Sequence, residues 1–134
     1  NATLQLIFNA AATAQLFQNN ATSPYTQFYL SLHTGDPGAG GTQATNEVSY
    51  TGYTRVSIAR TSAGFTVSGN IMTPTSPISF PTCTAGSGTA TYFGIGVASS
   101  GATSLLVSGP ITPSISYNTG VTPSLSTSTT ITFT

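Results

Sequence analysis

The fold is decided by residues 28–60, FYLSLHTGDPGAGGTQATNEVSYTGYTRVSIAR. At the start of this stretch apolar side chains occupy every second position, and this period of two predicts a β-strand over 28–33. The alternation assigns Phe28, Leu30 and Leu32 to the side that faces the core, and Tyr29, Ser31 and His33 to the opposite side.

The strand is followed by a turn at Asp36-Pro37-Gly38, because proline fixes φ at one position and glycine permits positive φ at the next. Residues 38–46 are rich in glycine and polar side chains, which predicts a mobile surface loop. A second strand is predicted over 53–60, with Val56 and Ile58 facing inward.

Every charged side chain of the protein lies in this stretch, together with its single histidine. Arg55 is expected on the polar face of the second strand, from which it could reach Glu47 or Asp36 across the loop. Because these two carboxylates are the only anionic partners available to Arg55 and Arg60, we predict ion pairs that hold the loop. An exposed pair of this kind contributes roughly 0–1 kcal/mol.

The composition is that of a folded but almost uncharged domain. The chain has 134 residues, of which 38% are hydrophobic and only 3% are charged, and serine and threonine make up about a third. This length suits one domain, and the apolar content distinguishes it from a disordered chain. Low charge favours contact between copies, so we expect self-association, most simply as a trimer. Two arginines cannot neutralise a phosphate backbone, and no apolar run is long enough to cross a membrane.

One helix is predicted, over residues 3–18, TLQLIFNAAATAQLFQ, where apolar side chains recur every three or four positions. Leu4, Ile7 and Phe8 belong to this stripe and are candidate interface residues. Two alternatives stay open: the helix packs on its own sheet, or it forms an arm that reaches a neighbouring subunit. The domain is thus divided into a helix or arm over 1–20 and a β-rich body over 25–134.

Short strand patterns separated by turns fill the rest of the chain. They predict a mainly β fold, an antiparallel β-sandwich or a jelly-roll-like barrel with one N-terminal helix. Gly94 and Gly96 alternate with apolar residues and leave room for another group to approach closely. The predicted strands are 65–67, 71–73, 78–80, 92–98, 105–107, 111–117 and 129–134.

Little in the sequence favours catalysis. An active site would have to combine His33, Asp36, Glu47, Cys83 and hydroxyl groups, and no helical face or motif aligns them. Asp36 and Glu47 could hold calcium together with loop carbonyls, but pairing with arginine is the simpler use. We therefore expect no catalytic residues, no metal and no cofactor, and Cys83 is interpreted as a small buried filler.

The segments FYLSLHTGDPG and GTQATNEVSYTGYTRVSI, after a helical N-terminus, resemble a family of small tailed-bacteriophage virion proteins. Members of that family carry a YLALHTADPG strand and turn and a NEVSGGSYAR segment. This chain departs from the pattern at Tyr50-Thr51, where glycine or serine is common. The matching positions are Leu30, Leu32, His33, Thr34, Asp36, Pro37, Gly38, Asn46, Glu47, Val48, Tyr53 and Arg55.

The resemblance implies a non-enzymatic structural protein of the virion. Our leading expectation is a capsid decoration, or cement, protein whose partners are the major capsid protein and other copies of itself. The first alternative is a tail or tail-fibre component that contacts the host surface. The second is a carbohydrate-binding sandwich that would use Tyr50 and Tyr53 as exposed stacking or interface residues.

Overall fold

A computed structural model describes residues 25–132, and this part of the chain is built from antiparallel β-strands without a helix. The predicted helix over 3–18, with Leu4, Ile7 and Phe8, lies outside the described residues. The strands are β1 Gln27–His33, β2 Val56–Ala59, β3 Phe65–Ser68, β4 Ile71–Pro74, β5 Ile78–Ser79, β6 Ser87–Gly96, β7 Leu105–Asn118, β8 Ser124–Leu125 and β9 Ile131–Thr132.

The strands form three sheets. The largest has four strands in the order β2-β1-β6-β7, so β1 and β6 are central and β2 and β7 lie at its edges. The others have the orders β3-β4-β9 and β5-β8. In the large sheet Phe28 pairs with Ile58 of β2, and His33 pairs with Tyr92 of β6.

The core lies between the large sheet and the two small ones. The predicted alternation of β1 is confirmed on this side, because Phe28, Leu30 and Leu32 are all buried. The Phe28 ring contacts the ring of Phe65 in β3, with 6.3 Å between the ring centroids. Burial of such a side chain is worth about 1.5–3 kcal/mol, so these contacts between sheets dominate the stability of the body.

The opposite face of β1, which carries Tyr29, Ser31 and His33, is also largely buried. Ser31 and His33 are completely inaccessible to solvent. The chain after β1 folds back over this face instead of leaving it to water, and His33 Nδ1 lies 2.7 Å from the Thr45 carbonyl oxygen. The polar face of β1 is thus covered by a second, hydrogen-bonded layer of the same chain.

The glycines of β6 make this layer possible. A Cβ atom on Gly94 would lie 2.6 Å from His33 Nε2, and one on Gly96 would lie 2.0 Å from the side-chain amide carbon of Gln43. The prediction that Gly94 and Gly96 admit a close neighbour is therefore confirmed. The approaching groups are an imidazole ring and a glutamine side chain of the same chain.

A single strand, β7, replaces the two strands predicted over 105–107 and 111–117. Pro110 lies within β7, which is possible because β7 is an edge strand, where a missing backbone donor is tolerated. The register explains the irregularity: Ala90 pairs with Ile115 whereas Tyr92 pairs with Pro110, so residues 111–114 bulge opposite Thr91.

Candidate functional site

Asp36, Glu47 and Arg55 lie with Tyr50 and Tyr53 where two loops meet the large sheet. We call this region the loop cluster and define it as residues 34–55 and 97–104. Its order comes from the turn after β1, where Gly38 adopts a φ of 74°, a conformation that glycine tolerates best. The Asp36 carboxylate accepts a hydrogen bond from the Gly38 amide at 2.9 Å.

Arg55 and Glu47 form a two-pronged ion pair at the centre of the loop cluster. Arg55 Nε donates to Glu47 Oε1 at 2.7 Å, and Arg55 Nη2 donates to Oε2 at 2.8 Å. The Arg55 guanidinium also donates to the carbonyls of Ala98 and Gly101, at 3.0 and 2.8 Å. One side chain therefore joins the two loops of the cluster.

The placement of Arg55 differs from the sequence expectation. Arg55 precedes β2 and is not on an exposed strand face, and its side chain is only 3% accessible against 16% for Glu47. The hydrogen bonds to Glu47 raise the pKa of Arg55. A bidentate pair that is largely screened from water is stronger than the surface pair predicted from the sequence.

Tyr53 also forms a hydrogen bond with the Glu47 carboxylate. Its hydroxyl donates to Glu47 Oε1 at 3.0 Å and accepts a hydrogen bond from the Leu32 amide at 3.0 Å. Burial raises the pKa of Tyr53 well above its usual range, which keeps the phenol protonated and able to donate. Tyr53 is thus a structural link between the ion pair and β1.

Tyr50 is buried and Tyr53 is partly buried, so the expectation that Tyr50 is an exposed stacking residue is wrong. Tyr50 is 6% accessible, and its ring centroid lies 5.3 Å from that of Tyr53 and 5.0 Å from that of Tyr117. The Tyr50 hydroxyl donates to the Pro81 carbonyl at 2.7 Å, and burial raises the pKa of Tyr50 to about 12. Rings packed on one another inside the body offer no face to a sugar.

His33 forms a buried chain of hydrogen bonds with Ser31 and Thr45. Nδ1 of the imidazole lies 2.7 Å from the Thr45 carbonyl oxygen, which can only accept, so Nδ1 carries the proton. Nε2 lies 2.8 Å from Ser31 Oγ and accepts its hydrogen when the ring is neutral. Burial lowers the pKa of His33. A serine and a histidine at this distance resemble a nucleophile and its base, but no substrate can reach two fully buried side chains.

Gln43 is the residue of the loop cluster that the sequence analysis missed. It was assigned to a mobile loop, yet its side chain is completely buried. Its amide nitrogen donates to the Tyr29 carbonyl at 3.2 Å, and its oxygen accepts from Thr103 Oγ1 at 2.6 Å and from the Ala98 amide at 3.3 Å. The alternating glycines of β6 were the available signal, because they showed that something had to fill the space above them.

Arg60 is placed away from the ion pair, at the beginning of β1. Its guanidinium carbon lies 5.5 Å from the centre of the Phe28 ring, and Nη1 donates to the Tyr25 carbonyl at 3.3 Å. Burial lowers the pKa of Arg60. Ion pairs were predicted among Asp36, Glu47, Arg55 and Arg60. The structure pairs Glu47 with Arg55 and places Asp36 at the outer end of the loop.

The outer surface of the loop cluster offers small groups and little charge. It can contribute hydrogen bonds and shape, and its acid and base side chains are mostly turned inward. In the part of the chain that the structure describes, no three acidic, histidine or cysteine side chains approach closely enough to bind a metal. No helix between residues 25 and 132 is long and apolar enough to cross a membrane. The exposed residues include Thr34, Asp36, Gly38, Gly40, Ala44, Asn46, Ser49, Thr51, Thr54, Ser99 and Ser100.

One family of known proteins matches almost the full length of the chain. The model of a family described as Podophage GP4 fiber I protein gp80 matches residues 5–133, which is nearly the whole chain. Among curated proteins, no sequence matches this one. Together with the β-rich body, the family match identifies a structural component of a tailed-phage particle. The chain belongs to the podophage GP4 fiber I protein gp80 family, and it is a tailed-phage virion protein.

Proposed function

We propose that the chain is a non-enzymatic subunit of a tail fibre. The observation that carries this proposal is the match over residues 5–133 to a family whose description contains the word fiber. The body would serve as a single β-sandwich module, with the four-stranded sheet on one side of the core and the smaller sheets on the other. Its role would be to present a stable, neutral surface at a fixed place on the phage tail.

The loop cluster supports a structural role. Its ion pair between Glu47 and Arg55 lies within one loop, and the Arg55 guanidinium also donates to the Ala98 and Gly101 carbonyls of the second loop. The buried Ser31 and His33 are likewise used to attach the chain after β1 to the sheet. Side chains that would perform acid–base chemistry in an enzyme here stabilise the positions of loops.

Self-association is part of the proposal, with the trimer as the expected state. Strand β7 lies at an edge of the large sheet, is 14 residues long and contains no charged side chain. Leu106 in this strand is 38% accessible. An uncharged edge strand is a favourable place for contact between copies, because unpaired backbone groups there can bond to another chain.

Location on the particle is the experiment that tests the fibre role. Antibody against the chain, or a density map of the whole virion, would locate it, and quantitative mass spectrometry would give its copy number relative to the major capsid protein. A fibre subunit is expected at the tail in a small number of copies. A capsid decoration protein, the role first expected from the sequence, would be spread over the capsid in hundreds of copies and would overturn the fibre proposal.

A further inference from the structure

An apolar groove lies beside β2, at one edge of the large sheet. It has a volume of about 250 Å³ and is formed by β2, the turn after it and the segment that leads into β5. Val56 and Ile58 pack against the core but remain partly accessible, so the groove exposes the rim of the core. The apolar side chains that line it are Val56, Ile58, Ala59, Ala63, Pro77 and Ile78.

The described part of the chain begins at the end of this groove. Gln27 pairs with Ala59, and Ala59 is one of the lining residues. The amide of Arg60 donates to the Thr26 carbonyl at 2.9 Å, which fixes the start of β1 beside the end of β2. Whatever direction the preceding residues take, they leave from this point.

The preceding residues have the composition to fill the groove. Residues 1–24 carry no charge, and their last seven residues, QNNATSP, form a polar connection. Seven extended residues span at most about 25 Å, whereas the four residues of β2 are about 13 Å long. Leu16 and Phe17, which directly precede this connection, can therefore reach any part of the groove.

We propose that the groove is the docking site of residues 3–18 of the same chain, with Leu16 and Phe17 as the side chains nearest to it. The covalent connection favours this occupant over an identical segment of a second copy. Two groups joined by a connection of only a few residues meet at an effective concentration in about the millimolar range, which separate copies rarely reach. This inference concerns one chain alone and does not depend on where the protein sits in the particle.

A spin label tests the proposal on the full-length protein. Ser76 lines the groove and is exposed, so Ser76→Cys can carry a nitroxide, while the natural Cys83 is fully buried and protected from the reagent. We expect the label to remove the NMR amide signals of residues 14–18. The matched control is a nitroxide at Ser108→Cys, an exposed position in β7 at the opposite edge of the sheet, which should leave those signals in place.

Two further samples decide between occupants. In a mixture of isotope-labelled protein without nitroxide and unlabelled protein with it, signals of residues 14–18 that disappear would show docking between copies and would overturn the proposal. Full signals of residues 14–18 in the Ser76-labelled protein, with β2 signals lost, would also overturn it. Ala59→Glu places a charge in the groove and should restore the signals, whereas Ser108→Glu should not.

Discussion

At the scale of single residues, Arg55 is the side chain on which most of the loop cluster depends. Its four hydrogen bonds reach Glu47, Ala98 and Gly101, so it fixes two loops that are more than 40 residues apart in the chain. Removal of one partner of a buried ion pair leaves the other charge without compensation. Such a loss typically costs about 3–5 kcal/mol.

We predict that Arg55→Ala lowers the free energy that keeps residues 36–50 closed by about 3–5 kcal/mol. Hydrogen exchange should accelerate throughout this loop, while the amides of β1 and β6 remain protected. Asp36→Asn is the control, since Asp36 is exposed and outside the ion pair, and it should change stability by no more than about 0.5 kcal/mol. Unchanged exchange of residues 36–50 in Arg55→Ala would contradict the prediction.

His33 makes stability depend on pH. Burial lowers its pKa in the folded state below the ordinary value of 6.5, although the Thr45 carbonyl and Glu47 partly oppose this shift and Arg55 adds to it. Below pH 6.5 the unfolded chain therefore binds a proton that the folded chain does not. The contribution of neutral His33 to the free energy of unfolding is largest above pH 6.5. It decreases as the pH falls toward the folded-state pKa.

We predict that the free energy of unfolding falls by up to about 1.4 kcal/mol per pH unit as the pH is lowered from about 6.5. Urea unfolding at several pH values between about 7.5 and 5 measures this slope. Because His33 is the chain's only histidine, His33→Gln should remove the dependence while lowering stability at every pH. A slope that persists in the variant would assign the effect to another group.

At the scale of elements, β1 shows which features of a strand can be predicted from the sequence. Its existence, its bounds and its apolar face followed from alternation, as did the antiparallel β class. The burial of its second face could not be predicted in this way. A strand that carries Ser31 and His33 on one face is expected to be half-exposed unless the covering layer is known. The covering layer is formed by residues that are far from β6 in the sequence. Nothing in the sequence around Gln43 indicates that its side chain is buried.

Strand β7 was predicted as two separate strands, for a different reason. Pro110 cannot donate a backbone hydrogen bond, and in a central strand it would end the pairing. The sequence does not say which strands are edges, and β7 is one. The helix predicted over residues 3–18 lies outside the described residues, so only the docking proposal above concerns it.

We predict that Gly96→Ala destabilises the protein by about 1–3 kcal/mol, the usual cost of forcing extra atoms into a packed site. The added Cβ would meet the Gln43 side chain at 2.0 Å and displace it from its three hydrogen bonds. Gly40→Ala is the matched control, because a Cβ there has no neighbour within 4 Å. Equal urea midpoints for the two variants would show that Gln43 can move at no cost.

At the scale of the whole molecule, composition and the resemblance over residues 28–58 led to the same class of protein. The low charge content predicted a neutral assembly protein, and the family match places the chain among tailed-phage virion proteins. The choice between tail and capsid is not encoded in the fold of one subunit. It depends on a partner surface, and neutral, polar surfaces of similar chemistry serve both roles.

We predict that this subunit stays attached to purified particles in molar sodium chloride and is released by dilute guanidinium. Attachment by apolar and hydrogen-bonding contacts is little affected by screening, whereas excluded salts such as sulfate should strengthen it. The bound fraction after washing, measured by gel densitometry, checks this outcome. Release by sodium chloride with retention at low salt would identify the charged residues of 36–60 as the attachment site instead.

The inward pairing of Glu47 and Arg55 also bears on the speed of assembly. These two charges neutralise one another, and Asp36 and Arg60 add one charge of each sign, so the molecule projects almost no field into the surrounding water. Partners that are not steered by charge associate at about 10⁵–10⁶ M⁻¹s⁻¹, well below the rates of oppositely charged proteins. If the chain assembles as proposed, its subunits meet without steering by charge. We then expect the rate of assembly to follow the concentration of subunits and to change little with ionic strength.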